Sequence, residues 1–285
     1  MQKFVLGTAN FGDNYGISNK LSLSTQEVDE ILNWASGKIE ELDTSEDYKG
    51  SHKAISKHSK NFKITTKINL NQLGGIKDLA PKVINICKEI GIEKIERVLL
   101  RPHTTDPNFT LDAIKELEKL HLMGSIASLG LTIYETKEMD YFMGVLDFPI
   151  TFQVPLNLLN RSFQEQLTSN PIRYQEFNFY VRSVFLQGLI LMNPDDVPHH
   201  LTEASETIRN LNNKLTKLGL STLEATFAFI RNQNWVTGAV VGVTSLNELK
   251  TNFHAFEEKK EIEWSFLQDL PHPPVRILDP RRWQR

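Results

Sequence analysis

The sequence predicts an α/β protein built as a closed (β/α)8 barrel. Three observations support this prediction: eight short apolar runs alternate with amphipathic helical patterns, the alternation continues from end to end, and no shift in composition divides the chain. Strict alternation of this kind indicates parallel strands joined by helical crossovers. At 285 residues and 32.6 kDa the chain has the length of one such barrel. We therefore expect one domain over residues 1–285, with a tail at about 271–285 near the active-site face.

The predicted strands are runs of apolar and β-branched residues bounded by turn signals. In chain order they are KFVLGTA (3–9), KIEELD (38–43), FKITTKI (62–68), ERVLLR (96–101), IASLGLT (126–132), ITFQVP (150–155), FYVRSVF (179–185) and VTGAVVGV (236–243). The second run carries two adjacent glutamates and is poor by propensity, so its assignment depends on its context.

The segments between these runs carry the start and stop signals of helices. Ser24 and Glu27 form a capping box ahead of an apolar stripe at helical spacing, and Gly37 ends that helix. A second capping box, Ser221 to Glu224, begins a later helix directly after another amphipathic segment. These signals support the alternation of strands with helices.

The main alternative fold is an open, doubly wound sheet that binds a dinucleotide. Such a sheet calls for a G-x-G-x-x-G turn after its first strand and an acidic residue that closes a following strand. The segment GTANFGDNYG has its glycines in a different order. The barrel is therefore the preferred architecture.

Composition excludes several classes of function. The formal net charge of -3 and the pI near 6.3 give no electrostatic reason to expect nucleic acid or an anionic membrane as a partner. No run has the length of a membrane span, and MQKFVLGTANFG lacks the anatomy of a signal peptide. The single cysteine, Cys87, leaves no internal disulfide and no cysteine-based zinc cluster, and helical spacing around it predicts core packing. We expect a cytoplasmic protein.

The barrel prediction brings several reactive side chains to one rim, because active sites of this fold lie at the carboxyl ends of the strands. Asp43 closes the second strand, Tyr48 follows in LDTSEDYKGS, Lys67 closes or follows the third strand, and Arg101-Pro102-His103 comes after the fourth. Taken singly, these residues suggest a turn cap, a surface tyrosine and a structural ion pair. Their convergence on one rim favours a catalytic site.

These segments resemble the aldo-keto reductase family, whose members are nicotinamide-dependent reductases built on (β/α)8 barrels. The resemblance includes TTK at the end of the third strand, QVPLNLLNR, RSVFLQGL and VVGVTSLNELKTN, and ILDPRRW looks like the tail of a bacterial branch. It implies that Tyr48 delivers a proton to a substrate carbonyl oxygen. It also implies that Lys67 lowers the pKa of Tyr48 from its usual value of roughly 10, and that Asp43 holds Lys67 in place.

The sequence departs from the family at the residue that orients the carbonyl. The resemblance implies a histidine directly after the apolar strand, where this chain has Arg101, with His103 two residues later. We expect His103 to fill this role after a small backbone shift. Arg101 is the competing candidate, since a guanidinium can polarise a carbonyl or hold a carboxylate or phosphate.

The resemblance further implies nicotinamide contacts at the ends of the fifth to seventh strands. Thr132 and Gln153 would hold the nicotinamide amide, and Ile133 replaces a usual asparagine. Arg182 stands where the family often has an aromatic residue beneath the nicotinamide ring. The loop from Ser183 to Gly188 would lie against the pyrophosphate.

By the same resemblance, the last strand leads to the adenosine end of the cofactor. Gly242, Thr244 and Ser245 would face the 2′-phosphate, Glu248 completes a capping box with Ser245, and Asn252 would touch the adenine. A helix N-terminus suits a phosphate, although a plain capped helix has the same signature. The family's basic side chain at the start of this segment is missing. NADPH is therefore the expected cofactor and NADH an open possibility.

Three functions compete at this point. The first is an active reductase of aldehydes or ketones, supported by the intact proton-delivery residues. The second is a silent nicotinamide-nucleotide-binding barrel that acts as a sensor or interaction subunit, suggested by the departures above. The third is a metal site at His52, His58 and His103, which lack a shared spacing and added carboxylates. The first is preferred, because a sensor has no need of a proton donor.

The expected partner is a small carbonyl compound that is polar, sugar-like or acidic. The predicted walls of its pocket are Phe11, Tyr15, Arg101, Trp283 and the pair Arg281-Arg282. We expect a monomer or a weak homo-oligomer.

Overall fold

Eight parallel strands close into a barrel in the computed structural model, which describes residues 2–12, 23–270 and 272–283. Each strand pairs with the next along the chain, and the eighth returns to pair with the first. The predicted fold class is confirmed. Tyr15, one of the predicted pocket walls, lies outside the described residues.

The strands all lie close to their predicted positions. They are β1 (Lys3–Gly7), β2 (Glu41–Asp43), β3 (Lys63–Asn69), β4 (Ile95–Arg101), β5 (Ile126–Thr132), β6 (Thr151–Pro155), β7 (Asn178–Arg182) and β8 (Val236–Gly242).

Strands β2 and β7 are shorter than predicted, each for an identifiable reason. The amides of Lys38 and Ile39 donate back to the carbonyl of Ala35 at the end of the preceding helix, so they do not join the sheet and β2 keeps three residues. Strand β7 stops at Arg182 because Ser183 takes a left-handed conformation with φ 56°. Lys67, expected to close or follow β3, lies inside it, two residues before its end.

Helices separate the strands on the outside of the barrel. They are α1 (Thr25–Ala35), α2 (Ser51–Ser56), α3 (Leu79–Ile90), α4 (Pro107–Leu122), α5 (Thr136–Val145), α6 (Ser162–Ser169), α7 (Pro171–Tyr174), α8 (Glu203–Lys217), α9 (Thr222–Arg231), α10 (Leu246–Glu257) and α11 (Val275–Leu278). The 3-10 helices span Ser59–Asn61, Leu70–Gln72, Ile76–Asp78, Leu186–Leu191, Pro194–Asp196, His199–Leu201, Ser265–Leu267 and Pro280–Arg282. The capping boxes predicted for α1 and α9 are both present.

The core lies between the helices and the barrel wall. Buried apolar residues recur every three or four positions along the helices, as in α1, where Val28, Ile31, Leu32 and Ala35 are buried. Cys87 is half-buried and packs against this core, as predicted.

The barrel interior, in contrast, contains buried charged residues. We call Glu41, Arg97 and Tyr180 the lower group; their exposed fractions are 1%, 7% and 3%. Arg97 donates to Glu41 at 3.2 Å and to the Tyr180 hydroxyl at 2.9 Å, and that hydroxyl donates to Glu41 at 3.2 Å. Lys3 also donates to Glu41. Gly238 makes room for the phenol, since a Cβ there would lie 2.9 Å from the Tyr180 ring.

The described ranges contain neither a membrane-spanning helix nor a cluster of metal ligands. No helix there has the length and apolar character needed to cross a bilayer, and no three His, Cys, Asp or Glu side chains gather as metal ligands. His52 contacts Glu89 at 3.0 Å and His58 contacts Asp29 at 2.6 Å.

Candidate active site

A cavity of about 710 Å³ opens at the carboxyl ends of the strands. Every strand contributes one of its last three residues to the wall: Gly7, Asp43, Lys67, Arg101, Thr132, Gln153, Arg182 and Gly242. Tyr48 also lines it. We refer to this space as the rim cavity.

A buried ion pair forms the floor of the rim cavity. The Lys67 ammonium donates to one carboxylate oxygen of Asp43 and to the Thr44 carbonyl at 3.0 Å. The other oxygen of Asp43 accepts from the Gln153 amide nitrogen at 2.7 Å. Lys67 and Asp43 are 5% and 2% exposed. Both oxygens of Asp43 thus have protein donors, which offsets the cost of burying its charge.

Tyr48 stands beside this pair, in the loop between β2 and α2. The Lys67 ammonium lies 5.5 Å from the centre of the Tyr48 ring. Backbone hydrogen bonds from Tyr48 to Ser45 at 3.1 Å and from Ser51 to Tyr48 at 3.0 Å fix the loop. We call Asp43, Lys67 and Tyr48 the rim group. The structure therefore brings together the three residues predicted to deliver a proton.

A close backbone approach holds the Tyr48 loop against the loop after β1. A Cβ at Gly12 would lie 1.7 Å from the Lys49 carbonyl oxygen, a distance that no side chain could occupy. The Ser51 hydroxyl contacts that of Thr8 at 2.7 Å and ties the same two loops together.

The pKa of Tyr48 shifts opposite to the sequence-based expectation. Burial, and then the negative charge of Asp43, raises the pKa of Tyr48 above its ordinary value. The positive charges of Arg182 and Arg101 act in the other direction and are outweighed. The expectation of a lowered pKa is therefore wrong: it counted the charge of Lys67 but left out burial and the acid that pairs with Lys67.

Arg101 and His103 take different positions after β4. Arg101 is the last residue of β4, lines the rim cavity and pairs with Asp47 at 2.9 Å. His103 is absent from the described walls of the cavity. Its Nδ1 accepts from the Asp106 amide at 3.1 Å, and its ring packs on Phe109. The structure thus brings Arg101 to the rim group and turns His103 towards the start of α4.

Most of the residues predicted to bind the cofactor surround the same cavity. Thr132, Gln153, Arg182, Ser183, Gly188, Gly242, Thr244 and Glu248 line it. Ser245 and Asn252 are not among its described walls. Asn252 is 3% exposed, and its Nδ2 has no hydrogen-bond partner among the described residues.

The loop after β7 has an unusual backbone. Ser183, Leu186 and Gln187 all take left-handed conformations, with φ of 56°, 48° and 55°, although none is glycine. Residues held in this region are strained and cluster at functional sites. Ser183 and Gln187 line the cavity, which fits the predicted role of this loop in holding a ligand.

The start of α10 differs from the predicted capping box. Ser245 accepts from the Glu248 amide at 3.1 Å, as expected. The Glu248 carboxylate, however, accepts from the amide and the hydroxyl of Thr244, both at 2.7 Å, instead of returning to Ser245. Ser245 therefore remains the N-cap of α10, and the Glu248 carboxylate accepts from the backbone amide of Thr244, a residue predicted to face a phosphate.

Two buried oxygen atoms at the cavity have no hydrogen-bond partner among the described residues. One is Oε1 of Gln153, whose amide nitrogen is engaged by Asp43. The other is Oδ1 of Asn10, whose nitrogen donates to the Val243 carbonyl at 3.1 Å. Unpartnered buried acceptors are costly, so both fit a ligand that donates hydrogen bonds, such as a carboxamide. Asn10 was missed by the sequence analysis, which named the loop after β1 without this residue.

Tyr134 is a second wall residue that the sequence analysis missed. Its ring lies between two guanidinium groups, with Arg182 3.8 Å and Arg281 3.4 Å from its centre. Arg281 comes from the C-terminal tail and is held by Asp279 at 2.7 Å. Arg281 of the tail thus contacts a wall residue of the cavity, while the predicted wall residues Phe11 and Trp283 are buried.

Known proteins were compared with the chain and its fold. The Aldo/keto reductase family model matches residues 3–266. The fold is similar to that of the aldo-keto reductase AKR11C1 from Bacillus halodurans in its holo form, with a TM-score of 0.75 at 16% identity over 94% of this chain and 91% of that one. The thermostable aldo-keto reductase Tm1743, solved with the inhibitor epalrestat, gives 0.74 at 18% identity over 94% of each chain. At these identities the structural likeness shows the fold. No curated protein matches the sequence.

Proposed function

We propose that this chain, which belongs to the aldo/keto reductase family, reduces aldehyde or ketone carbonyls with a nicotinamide cofactor. The observation that supports this most directly is the rim group, in which the Tyr48 phenol faces a cavity beside a lysine that is fixed by a buried acid. The cavity volume of about 710 Å³ suits small molecules. The proposed setting is the cytoplasm, and the proposed assembly is a monomer or weak homo-oligomer.

Tyr48 is the proposed acid. A phenol whose pKa is at or above the ordinary value of about 10 is protonated at neutral pH, so Tyr48 carries its proton before the reaction. As negative charge develops on the substrate carbonyl oxygen, the phenolic proton passes to that oxygen, and the Oη–H bond breaks as the new O–H bond forms. Lys67 and the cationic side chains of Arg101 and Arg182 then stabilise the phenolate.

Arg101 is the proposed carbonyl-orienting residue. It faces the cavity with the rim group, whereas the His103 ring is engaged with the backbone at the start of α4. A guanidinium presents its donors in a rigid, positively charged fork, so it can polarise a carbonyl oxygen.

The cofactor would supply the hydride, and the chain would supply its binding and alignment. Gln153 is the proposed carboxamide acceptor, because its Oε1 is buried and unpartnered in the described structure. Thr132 lies beside it in the sheet, paired with Gln153 across β5 and β6. These two residues match the pair expected from the family resemblance.

NADPH is the expected cofactor from the family resemblance, and NADH gains support from the start of α10. The Glu248 carboxylate already accepts from the Thr244 amide, and a carboxylate there would repel a 2′-phosphate.

Equal dissociation constants for NADPH and NADH, or a lower one for NADH, would exclude a dedicated 2′-phosphate site. The variant Glu248→Gln should move the preference towards NADPH.

A nucleotide titration followed by a turnover assay tests the proposal. The purified protein is titrated with NADPH and NADH by nicotinamide fluorescence and then supplied with a panel of aldehydes, while the absorbance of the reduced cofactor is followed. We expect tight binding and consumption. Tight binding without consumption across the panel would favour the silent nucleotide-binding barrel, and absence of binding would reject both functions.

A further inference from the structure

Arg182 differs from the other cations that line the rim cavity. Lys67 pairs with Asp43, and Arg101 pairs with Asp47 at 2.9 Å. Lys49 is exposed and therefore hydrated by solvent. Arg182 is half-buried, and in the described part of the chain no carboxylate lies within ion-pair distance of it. A half-buried guanidinium without a counterion is costly unless a ligand supplies one.

Neutral groups hold the Arg182 side chain in a fixed position. Its Nε donates to the Thr132 hydroxyl at 3.3 Å, one terminal nitrogen donates to the Ser183 hydroxyl at 3.3 Å, and the other donates to the Ile133 carbonyl at 3.0 Å. A guanidinium has five N–H donors, so two remain, one on each terminal nitrogen. That pair of donors matches a carboxylate or phosphate.

The C-terminal tail stabilises the position of the Arg182 side chain through Tyr134. The guanidinium carbons of Arg182 and Arg281 lie 3.8 Å and 3.4 Å from the centre of the Tyr134 ring, so the ring lies between the two groups. Arg281 is itself neutralised by two oxygen atoms of Asp279, so the stack keeps one uncompensated positive charge, at Arg182. The tail thus fixes the guanidinium without cancelling its charge.

We propose that Arg182 binds an anionic group of the substrate, so that the preferred substrates are aldehydes or ketones that carry a carboxylate or phosphate. This inference rests on the proposed reductase function. Its location is consistent with catalysis, because Arg182 lines the same cavity as Tyr48 and its charge acts on that phenol. Arg281 would then be a positioning residue that acts through Tyr134.

A matched pair of substrates tests this proposal. The aldehyde 4-carboxybenzaldehyde carries a carboxylate, and methyl 4-formylbenzoate presents the same reactive group without the charge. We expect kcat/KM to favour the acid by about 10-fold to 100-fold, the range of a charge-assisted hydrogen bond. Arg182→Gln should raise KM for the acid alone and so remove the preference, and it should also lower kcat for both aldehydes, because the phenolate loses a nearby cation. Arg182→Lys should restore part of both effects. Equal values for acid and ester in the unmodified enzyme would overturn the proposal.

Two further variants distinguish the positioning of Arg182 from the effect of its charge. Arg281→Gln should weaken the preference partially, because it leaves the charge of Arg182 but removes the support behind Tyr134. Arg276→Gln is the matched control, since Arg276 is also a tail arginine but pairs with the exposed Glu203 instead of the cavity wall. A loss of preference in the control equal to that in Arg281→Gln would contradict the positioning role.

The anion could instead belong to the nucleotide, and a binding measurement distinguishes the two sources. Nucleotide dissociation constants of Arg182→Gln should match those of the unmodified protein. A 10-fold weakening of NADPH and NADH binding with an unchanged acid-to-ester ratio would assign Arg182 to a cofactor phosphate and overturn the substrate assignment.

A calorimetric titration with benzoate and benzamide, in the presence of the bound nucleotide, keeps the test independent of turnover. Benzoate should bind more tightly than benzamide, and only with Arg182 or its lysine variant in place. Equal binding of the two would overturn the proposal even if neither aldehyde is reduced. Failure of nucleotide binding would reject the reductase function itself.

Discussion

The rim group and the lower group contain the same three chemical parts, an acid, a cation and a phenol, inside one barrel. Burial is the largest cause in both groups, and it raises the pKa of Tyr48 and of Tyr180 above the ordinary value. The groups differ in access. The rim group lines a cavity, whereas the described walls of that cavity include none of the lower group. A raised tyrosine pKa therefore occurs in both groups, and only the access of a ligand distinguishes the rim group from the lower group.

Hydrogen bonding separates the two groups further. In the lower group the Tyr180 hydroxyl accepts from Arg97 and donates to Glu41, and the buried side-chain atom left without a partner among the described residues is a donor, Nε of Arg97. At the rim cavity the unpartnered atoms are acceptors, Oε1 of Gln153 and Oδ1 of Asn10. Unpartnered acceptors on a cavity wall can bind a ligand, whereas the lower group does not line that cavity.

The largest expected effect is the loss of catalysis on removal of the rim phenol. Tyr48→Phe should lower kcat by about 10²-fold to 10⁴-fold, because it removes the proton donor. Nucleotide binding, measured by fluorescence, should be nearly unchanged.

Tyr180→Phe is the matched control in the lower group. It should keep kcat close to that of the unmodified enzyme and lower the free energy of unfolding by about 1–3 kcal/mol, since Arg97 loses a hydrogen-bond acceptor. If Tyr48→Phe kept its turnover, or if Tyr180→Phe lost it, the functional distinction between the groups would fail.

The next effect is on stability and concerns the acid of the lower group. Glu41→Ala should reduce the free energy of unfolding by about 3–5 kcal/mol, because it leaves Arg97 buried without its carboxylate. Denaturant titration measures the change. A loss below that of an exposed pair such as Lys57 with Asp29 would mean that the lower group contributes little to stability.

A smaller effect distinguishes Arg101 from His103, the two candidates for orienting the carbonyl. Arg101→Ala should lower kcat by about 10²-fold, the cost of one donor to a developing oxyanion. His103→Ala should leave kcat nearly unchanged, because its ring is engaged at the start of α4. The opposite order would return the role to His103 and require the loop after β4 to move on substrate binding.

The smallest effect is the pH dependence of stability. Burial alone would raise the pKa of Glu41, but the hydrogen bond from Lys3 and the charge of Arg97 outweigh it, and the pKa is lowered. The contribution of Glu41 to the free energy of unfolding is therefore fully present above the pKa that its carboxyl has in the unfolded chain. It is lost as the pH falls through the lower pKa of the folded protein. Glu41→Gln should flatten the fall of unfolding free energy between about pH 5 and pH 3. An unchanged slope would show that Glu41 has similar pKa values in both states.

The fold and the rim group could be predicted because each depends on local patterns. Alternation of apolar strands with capped helices predicts the barrel, and the barrel then places the carboxyl ends of β2 and β3 side by side. Asp43 and Lys67 come together for that reason, and the loop after β2 brings Tyr48 beside them.

The remaining parts of the site depend on how the chain turns after a strand and on contacts between distant segments. The predicted strand already ended at Arg101, but the choice between Arg101 and His103 depends on the turn after β4, where the His103 ring accepts from the Asp106 amide while Arg101 lines the cavity. The stack on Tyr134 joins β7 to a tail almost 100 residues later, which no local pattern indicates. The direction of the Tyr48 pKa shift required knowledge of burial. Such features become visible only when the chain is folded.

The polar interior of the barrel also has a calorimetric consequence. Exposure of apolar surface on unfolding raises the heat capacity, and exposure of polar surface lowers it. Charged and hydrogen-bonded side chains occupy positions inside this barrel that branched aliphatic residues usually fill in the fold. The heat-capacity increment of unfolding should therefore be smaller than for an aliphatic barrel of the same length, and the curve of stability against temperature correspondingly flatter.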